Sequence, residues 1–330
     1  MTFRIILIIS LVFVSAILQA QFAPPAGQPG TTAIAMDSNA IVAWAASCSI
    51  ERGYVNMADT AFTYNGLSRA SFGSYLFASG PADELVVSLG DRGSALLGFE
   101  PPIVDRPGPD FAVFENSFGD AFLELAFVEV STDGQRFVRF PAQSLTQTTV
   151  QVSTFDTLDT RKIHNLAGKY RHGYGTPFDL ADLIDSAGID LSDIRWVRIV
   201  DAGGNLNPEY ATYDAQGKAI NDPWPTPFDT GGFDLDAIGV IHNTTNGVME
   251  QGALDVSLFP NPANGSSVTA TSGDGRPVHL IISDMAGNIL VDKDFRYNIR
   301  VDISDLSAGI YMALLSLGDG TVQQMKFIRY

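Results

Sequence analysis

Short runs of β-branched and aromatic residues, separated by turn residues, recur along almost the whole chain. Long helical periodicity is nearly absent, and glycine (31) and proline (17) are plentiful. This pattern predicts an all-β sandwich or barrel, because such side chains pack well on a pleated surface and the turns between strands need glycine or proline. The predicted strands of the first part of the chain are ELVVSL (84–89), SALLGF (94–99), FAVFEN (111–116), LELAFVEVS (123–131), RFVRF (136–140), TTVQVS (148–153) and IRWVRIV (194–200).

Two local patterns are more specific. In residues 127–140, the pair Asp133-Gly134 favours the positive φ that a tight turn between two strands requires, which predicts a β-hairpin. Residues 177–188 carry a short apolar stripe after Asp179, a residue suited to an N-cap. The sequence therefore predicts one short helix there.

The first 20 residues have the pattern of a secretory signal peptide. Arg4 precedes an apolar run from Ile5 to Val14, small residues follow, and cleavage is predicted after Ala20. The apolar run is too short for a stable membrane span, and a retained membrane anchor is the alternative interpretation. No other segment is apolar enough to span a bilayer, so no membrane span is expected after cleavage.

Composition limits the partners of the exported chain. Its only cysteine, Cys48, excludes an intrachain disulfide, so stability must come from a large core, from bound metal, or from both. The formal net charge is −17, with 37 acidic against 20 basic residues, which argues against nucleic acid or an anionic membrane surface as a partner. Carboxylate clusters suit hard cations, although solubility alone explains most of the acidic residues.

The C-terminal part of the chain is a separate unit, because residues 243–254 are polar and patternless and seven short β-like segments follow. Seven strands in this length predict an immunoglobulin-like sandwich. Four motifs in this unit, in order, are LFPNPANG (258–265), ISDMAGNIL (282–290), DISDLSAGIYMALL (302–315) and KFIRY (326–330). With these motifs, residues 255–330 resemble the C-terminal sorting domain of type IX secretion substrates.

That resemblance implies a route and a partner. The chain would reach the periplasm through its signal peptide and then cross the outer membrane, with the outer-membrane secretion machinery as the partner of residues 255–330. It would end extracellular, either attached to the cell surface or released. The predicted organisation is a signal peptide (1–20), a β-sandwich cargo domain (21–250) and an Ig-like sorting domain (255–330).

The cargo domain has weaker resemblances. VEVSTDGQRFVRF (128–140) and IRWVRIVD (194–201) are similar to strands of discoidin-like jelly-roll domains, although the paired cysteines common in that group are absent. A longer series resembles an uncharacterised family of secreted bacterial cell-surface proteins: VSLGDRGSALLGF (87–99), PGPDFAVFEN (107–116), LAFVEVSTDG (125–134), GYGTPFDLADL (173–183) and GGFDLDAIGV (231–240). This implies a jelly-roll-like β-sandwich and carries no established activity.

Oxygen-bearing side chains stand where three cargo strands end or begin. The strand FAVFEN ends in Glu115 and Asn116, the strand at 194–200 leads to Asp201, and Asp234 and Asp236 precede an apolar run. Asp234 and Asp236 are two residues apart, so they are expected to share one face of an extended segment and to repel each other.

A bound cation would resolve that repulsion. Ca²⁺ accepts six to eight oxygens in a flexible shell, whereas the four scattered histidines form no zinc motif. The sequence therefore predicts a structural Ca²⁺ site built from Glu115, Asn116, Asp201, Asp234 and Asp236, with Asp110 in reserve. The alternative is that these carboxylates cap turns or pair with arginines, namely Arg136, Arg139, Arg195 or Arg198.

Two long loops, at 164–179 and 201–229, offer a second set of candidates. They hold aromatic and histidine side chains among Asn and Asp residues, namely Tyr170, His172, Tyr174, Tyr210, Tyr213 and Trp224. Aromatic faces beside polar groups suit sugar rings, so these residues are predicted to bind a glycan or another small-molecule nutrient without catalysis. The alternatives are loop aromatics that only pack on the sandwich, a polysaccharide hydrolase with paired carboxylates, and a purely structural or adhesive module.

Overall fold

The computed structural model describes residues 22–244, 256–272, 275–317 and 322–330. These residues form β-strands and three short 3₁₀ helices (Tyr75–Ala78, Thr160–Lys162 and Leu180–Leu183), which confirms the all-β fold. The predicted signal peptide and most of the predicted boundary segment lie outside the described residues. Within the described ranges, no helix has the length and hydrophobicity needed to cross a membrane.

Residues 22–244 form a two-sheet sandwich, which we call the larger sandwich. Its first sheet has the order β1-β11-β6-β13-β2, with β4 also paired to β13, and its second has the order β3-β5-β12-β7-β8. A two-stranded ribbon pairs β9 with β10. The strands are β1 (Ile34–Ala35), β2 (Ala43–Trp44), β3 (Ser47–Glu51), β4 (Val87–Ser88), β5 (Ser94–Ile103), β6 (Phe111–Glu115), β7 (Ala126–Ser131), β8 (Val138–Arg139), β9 (Gln143–Ser144), β10 (Ile163–His164), β11 (Tyr174–Phe178), β12 (Ile194–Asp201) and β13 (Asp234–Val240).

The core lies between these two sheets. Strand β6 contributes Phe111, whose ring stacks on Phe178 at 5.4 Å between centroids and meets Phe140 edge-on at 5.9 Å. Val128 of β7 and Ile199 of β12 complete the same cluster from the opposite sheet. Burying large side chains of this kind stabilises a fold by about 1.5–3 kcal/mol each, so the sandwich needs no disulfide.

Loops cover the outer face of the second sheet. A further apolar cluster joins Phe127 of β7 to Val152, Leu158 and Ile220 of the long loops. This packing explains one incorrect strand prediction: residues 148–153 are irregular, since their backbone groups bond to loop residues, such as the Val152 amide to Asn221 Oδ1 at 2.9 Å.

The predicted hairpin and helix have different outcomes. Strands β7 and β8 pair as expected, with Gly134 at φ 72° in the connecting turn. The predicted helix at 177–188 is wrong in type, because only the 3₁₀ turn Leu180–Leu183 forms there. Asp179 does cap this turn, accepting a hydrogen bond from the Ala181 amide at 3.0 Å.

A charge triad links three strands of the second sheet. Glu129 of β7 is paired with Arg198 of β12 on one side and with Arg139 of β8 on the other. Its carboxylate accepts from Arg198 Nε at 2.6 Å and from Arg139 Nε at 2.8 Å, and only 8% of its side chain is exposed.

This triad predicts a stability effect. Glu129→Ala is expected to lower the free energy of unfolding by about 1–3 kcal/mol, because two charge-assisted hydrogen-bonded pairs are lost. Urea titration measures it, with Glu100→Ala as the control, since Glu100 is 77% exposed in its pair with Arg195 and an exposed pair contributes about 0–1 kcal/mol. Equal effects from both variants would contradict the stabilising role of the triad.

The C-terminal residues form a second, smaller sandwich with all seven predicted strands. Its sheets have the orders β14-β15-β18 and β17-β16-β19-β20, and its own core includes Val268, Leu280 and Phe327. The strands are β14 (Val256–Phe259), β15 (Ser267–Ser272), β16 (Val278–Ser283), β17 (Ile289–Phe295), β18 (Asn298–Asp302), β19 (Gly309–Leu317) and β20 (Val322–Arg329).

Candidate functional site

Acidic residues from both sheets meet at one end of the larger sandwich. Glu115 is the last residue of β6, and Asp234 is the first residue of the paired strand β13. Asp201 ends β12 in the other sheet, where it is paired with Ala126, the residue that begins β7. Glu124 precedes β7 by two positions, so antiparallel pairing brings these four strand ends to the same edge.

A fifth carboxylate reaches this edge from the long loop after β12. Asp222 Oδ2 accepts a hydrogen bond from the Leu125 amide at 2.9 Å. Two glycines allow the close approach, because a Cβ on Gly204 (φ 61°) would lie 2.5 Å from the Cβ of Asp222, and one on Gly168 (φ 79°) would lie 1.8 Å from the Glu124 carbonyl oxygen. We call Glu115, Glu124, Asp201, Asp222 and Asp234 the acidic cluster.

In the described part of the chain, two carboxylate oxygens of the acidic cluster accept no hydrogen bond of normal geometry, and the Ser88 hydroxyl makes none either, although Ser88 is paired with Asp234 and its hydroxyl lowers the pKa of that carboxyl group. Asp222 Oδ1 and Asp234 Oδ1 are both inaccessible to solvent, in residues that are 4% and 8% exposed. No hydrogen bond among the described residues reaches the carboxylate of Glu124 either. A buried charged oxygen without a donor is costly, so each of these groups needs a proton or a cation.

The carboxyl groups of the acidic cluster have raised pKa values, so their charged forms are poorly stabilised in the fold. Burial raises the pKa of Glu115 and of Glu124 well above the usual range, and the charge of Asp234 raises both further. Burial also raises the pKa of Asp222 strongly, with a further contribution from Asp201. For Asp234, burial raises the pKa to about 7, although the Ser88 hydroxyl and the Arg52 charge oppose this.

Arg52 does not neutralise the cluster. Its guanidinium donates to the backbone carbonyl oxygens of Phe72 at 2.7 Å and of Gly73 at 2.6 Å, and to that of Ser88. Burial lowers its pKa, and the charge of Asp234 only partly offsets this. Arg52 therefore offsets part of the charge of Asp234, while its hydrogen bonds go to the backbone and not to the cluster.

Asp201 accepts three backbone hydrogen bonds, more than any other member of the acidic cluster among the described residues. Its Oδ1 accepts from the amides of Arg92 at 2.8 Å and Gly203 at 2.9 Å, and its Oδ2 accepts from Phe233 at 2.9 Å. Burial and then the charge of Asp91 raise its pKa to about 7. Asp201 thus ties the two sheets together at the edge of the cluster.

The structure separates Asp236 from its predicted partner. A β-bulge falls between Leu235 and Ala237, and the Asp236 carboxylate accepts from the amides of Asp83 at 3.1 Å and Glu84 at 3.2 Å. Burial raises its pKa to about 7, and the charges that add to the shift are Asp83 and Glu84. Asn116, also predicted, directs its backbone amide at the Glu115 carboxylate.

Two members of the cluster, Glu124 and Asp222, are absent from the ligand set that the sequence predicts. Glu124 lies inside the apolar run LELAF, a pattern that predicts a strand and does not indicate a metal ligand. Asp222 lies in the irregular loop at 201–229, where no periodicity indicates which side chains face inward. The one usable signal is the density of glycine earlier in this loop, at Gly203 and Gly204.

The alternative interpretation has two parts: Asp201 and Asp236 do accept hydrogen bonds from backbone amides, as capping groups would, whereas pairing with arginine side chains does not apply to the acidic cluster. Within the described ranges, Arg139 and Arg198 bind Glu129, and Arg195 binds Glu100 and Asp193. A different acidic group, Asp105, Asp110 and Asp179, has ligand atoms within 4.8 Å of one another, whereas no three members of the acidic cluster meet that spacing among the described residues, so an ion there would have to draw its ligands together. In that group both oxygens of Asp110 accept hydrogen bonds, including one from the Leu180 amide at 2.8 Å, so its geometry is explained without an ion.

The predicted glycan-binding residues are not brought together into one surface. Tyr170 is 1% exposed and its hydroxyl bonds to Thr32 Oγ1 at 2.9 Å, so its ring is not accessible to a ligand. Trp224 donates its indole N–H to Asp91 Oδ2 at 3.2 Å and is half-buried. The other four keep exposed surface: His172, beside Glu84, Tyr174, beneath Arg171, and Tyr210 and Tyr213 of the long loop.

Comparison with known families identifies the smaller sandwich. Residues 257–329 match the family described as "Secretion system C-terminal sorting domain". These residues are a type IX secretion sorting domain. The match confirms the resemblance of the four C-terminal motifs and establishes that the protein is secreted and delivered to the outer membrane and cell surface, with the type IX machinery as the partner of the sorting domain.

Other comparisons concern the fold alone. No curated protein sequence matches the chain. A DUF3244 family protein from Bacteroides vulgatus with an immunoglobulin-like β-sandwich is 18% identical over 23% of this chain and 84% of its own, with a TM-score of 0.21. A β-1,2-glucanase from Parabacteroides distasonis is 11% identical over 88% of this chain, with a TM-score of 0.27, and the chain spans 38% of its length. A β-glucuronidase from Ruminococcus gnavus is 11% identical over 94% of this chain and 45% of its own, with a TM-score of 0.22.

Proposed function

We propose that this protein is a surface-delivered, non-catalytic glycan-binding protein whose larger sandwich is stabilised by Ca²⁺ in the acidic cluster. The observation that carries the calcium part is the pair of buried, unpartnered oxygens, Asp222 Oδ1 and Asp234 Oδ1. They belong to a cluster of five carboxylates in which Arg52 offsets part of the charge of Asp234, and Ca²⁺ is the cation that suits carboxylate and carbonyl oxygens from several chain segments. The direct ligands in this proposal are Glu115, Glu124, Asp222 and Asp234.

Their arrangement also suits entry of an ion from solvent. Glu124 is the only one of these four ligands with appreciable solvent exposure, and the other three are buried. Asp201 would orient the site from its edge, because its oxygens are occupied by three amides. A cation here joins β6, β13, the start of β7 and the long loop, which stabilises a chain without disulfides.

Calcium binding to the purified full-length protein tests this proposal. After removal of divalent ions, calorimetric titration with CaCl₂ should show one site per chain. Glu124→Gln removes a charge and no hydrogen bond, so affinity should fall at least about tenfold, which corresponds to about 1.4 kcal/mol. Asp222→Asn should act in the same direction.

Two controls separate this site from its competitors. Asp236→Asn and Asp105→Asn are expected to leave the calcium affinity unchanged, since Asp236 binds backbone amides and Asp105 belongs to the other acidic group. Absence of binding at millimolar CaCl₂ would remove the calcium proposal. Loss of binding in Asp105→Asn alone would move the ion to the other group.

The glycan part of the proposal is supported by partly exposed aromatic and histidine side chains on loops of a secreted β-sandwich. Tyr174, Tyr210 and Tyr213 keep exposed surface on which a sugar could stack. The hydrolase alternative needs one carboxyl group to give a proton and another to act across the scissile bond. A cation held by Glu115 and Glu124 would leave neither free for that role.

A further inference from the structure

A cavity in the larger sandwich lies on elements outside the acidic cluster. Its volume is about 360 Å³, and it is lined by the loop after β10, by β11, by the 3₁₀ turn and by the first described residues. Ligand pockets of about 300–1,000 Å³ with a few convergent polar groups bind small molecules. The lining residues used below are Phe22, His164, Asn165, Lys169, Asp179 and Asp182.

One wall of the cavity is aromatic. The rings of Phe22 and His164 stack at 4.9 Å between centroids with an interplanar angle of 16°. The Phe22 amide donates to the Arg161 carbonyl oxygen at 2.9 Å, which fixes the segment that carries this ring. The Lys169 ammonium also lies over the Phe22 ring, 5.9 Å from its centroid, so aromatic and charged groups line the same part of the cavity. The aromatic surface that stays open suits the C–H face of a sugar ring.

The charged groups of the cavity lining are one lysine and two carboxylates. Lys169 is 4% exposed and has no ion-pair partner among the described residues, and its Nζ donates one hydrogen bond, to the Ile163 carbonyl oxygen at 2.8 Å. Asp182 uses Oδ2 to accept from Asn165 at 2.9 Å, and Asp179 uses Oδ1 to accept from the Ala181 amide. Each group therefore keeps hydrogen-bonding capacity for a ligand.

The charge balance selects among ligands. Burial lowers the pKa of Lys169 to about 8, so its ammonium remains mostly charged at neutral pH, yet Asp179 and Asp182 outnumber it. A carboxylate ligand would lie beside the carboxylates of Asp179 and Asp182, and a purely apolar ligand would leave buried polar groups unpaired. Hydroxyl groups donate to carboxylates and accept from an ammonium group. A neutral polyhydroxylated ring can therefore bond to Asp179, Asp182 and Lys169 and contact the aromatic side chains through its C–H groups.

We propose that this cavity is the sugar-binding site of the protein and that it takes one neutral sugar residue of a glycan. The proposal rests on the proposed glycan-binding function and replaces the loop aromatics with a specific pocket. The Phe22–His164 stack forms the platform, Lys169 donates to ring or hydroxyl oxygens, and Asp179 and Asp182 accept from hydroxyl groups.

A glycan array carrying neutral hexoses, N-acetylhexosamines and uronic acids, followed by calorimetry with the strongest free sugar, tests the site on the full-length protein. Binding should favour a neutral sugar over the matching uronic acid by at least tenfold. Asp182→Asn should weaken binding at least tenfold, because Asp182 lies at the surface and its replacement can still accept from Asn165. Phe22→Ala should also weaken it, and Asp185→Asn, three residues from Asp182 and exposed, should leave it unchanged.

The possible results separate this inference from the broader function. Glycan binding that survives both Asp182→Asn and Phe22→Ala overturns the cavity as the site while the glycan-binding function stands. Preference for uronic acids overturns the inferred ligand class. Absence of binding to every glycan on the array, with the thermal unfolding curve intact, overturns both the cavity proposal and the glycan part of the function.

Discussion

Chelation of Ca²⁺ is expected to lower the melting temperature of the protein by about 10 °C, and added CaCl₂ to restore it. A ligand at 1,000 times its dissociation constant stabilises the native state by about 4 kcal/mol, and a domain of this size shifts by about 2–4 °C for each kcal/mol. The physical cause is the acidic cluster, where removal of the ion leaves the buried carboxylates of Glu115, Asp222 and Asp234 beside the partly exposed Glu124, with Arg52 offsetting part of the charge of Asp234.

The variant Glu124→Gln makes this experiment specific. It removes one of the mutually repelling charges without removing a protein hydrogen bond, so the metal-free melting temperature should rise while the gain from CaCl₂ shrinks. Glu129→Gln is the matched control in β7, the strand that begins two residues after Glu124, because it weakens the pairing with Arg139 and Arg198 and should lower the melting temperature equally with and without CaCl₂. A metal-free Glu124→Gln protein less stable than the metal-free wild type would contradict the repulsion on which the account depends.

In the absence of calcium, the protein is expected to be more stable at pH 5 than at pH 8. Burial raises the folded-state pKa of Asp201, Asp234 and Asp236 to about 7, far above the ordinary value of 3.8. Between these two values the native state binds more protons than the unfolded chain, so the free energy of unfolding falls as pH rises through the folded pKa. The combined loss is on the order of several kcal/mol, because a folded-state pKa that lies one pH unit above the unfolded-state pKa corresponds to about 1.4 kcal/mol.

Calcium should weaken this pH dependence, because the ion competes with protons for the oxygens of Asp234, the one of these three carboxylates that the proposal makes a direct ligand. Urea titrations at pH 5, 6, 7 and 8, with EDTA and with CaCl₂, measure both curves. Asp234→Asn should reduce the slope of stability against pH in EDTA, because Asp201 and Asp236 still titrate. A metal-free protein whose stability increases steadily from pH 5 to pH 8 would show that these carboxylates are ionised in the fold without a cation.

Much of the fold was predictable because strands and turns leave local patterns. The seven strands of the sorting domain and the β7–β8 hairpin follow from alternating apolar residues and from Gly134, whose positive φ the turn requires. The prediction at 148–153 failed because a β-like composition does not determine a strand when loop side chains, such as Asn221, satisfy the backbone instead.

The candidate cation site was predictable only in part. Glu115, Asp201 and Asp234 meet at one edge because each stands at a strand end, and strand ends are visible in the sequence. Asp236 belongs to the predicted set because it stands two residues after Asp234, a spacing that puts two side chains on one face of a regular strand. The bulge between Leu235 and Ala237 breaks that regularity. The position of Asp222 depends on how a long loop packs across a sheet, and no local pattern records that contact.

The position of the ion is tested most directly by a crystal structure of the full-length protein grown with Ca²⁺, and with Tb³⁺ in its place to give a strong anomalous signal. The account predicts one anomalous peak within about 2.3–2.6 Å of oxygens from Glu115, Glu124, Asp222 and Asp234. A peak located only between Asp105, Asp110 and Asp179, or a structure in which Asp222 Oδ1 and Asp234 Oδ1 bind water and no cation, would contradict it.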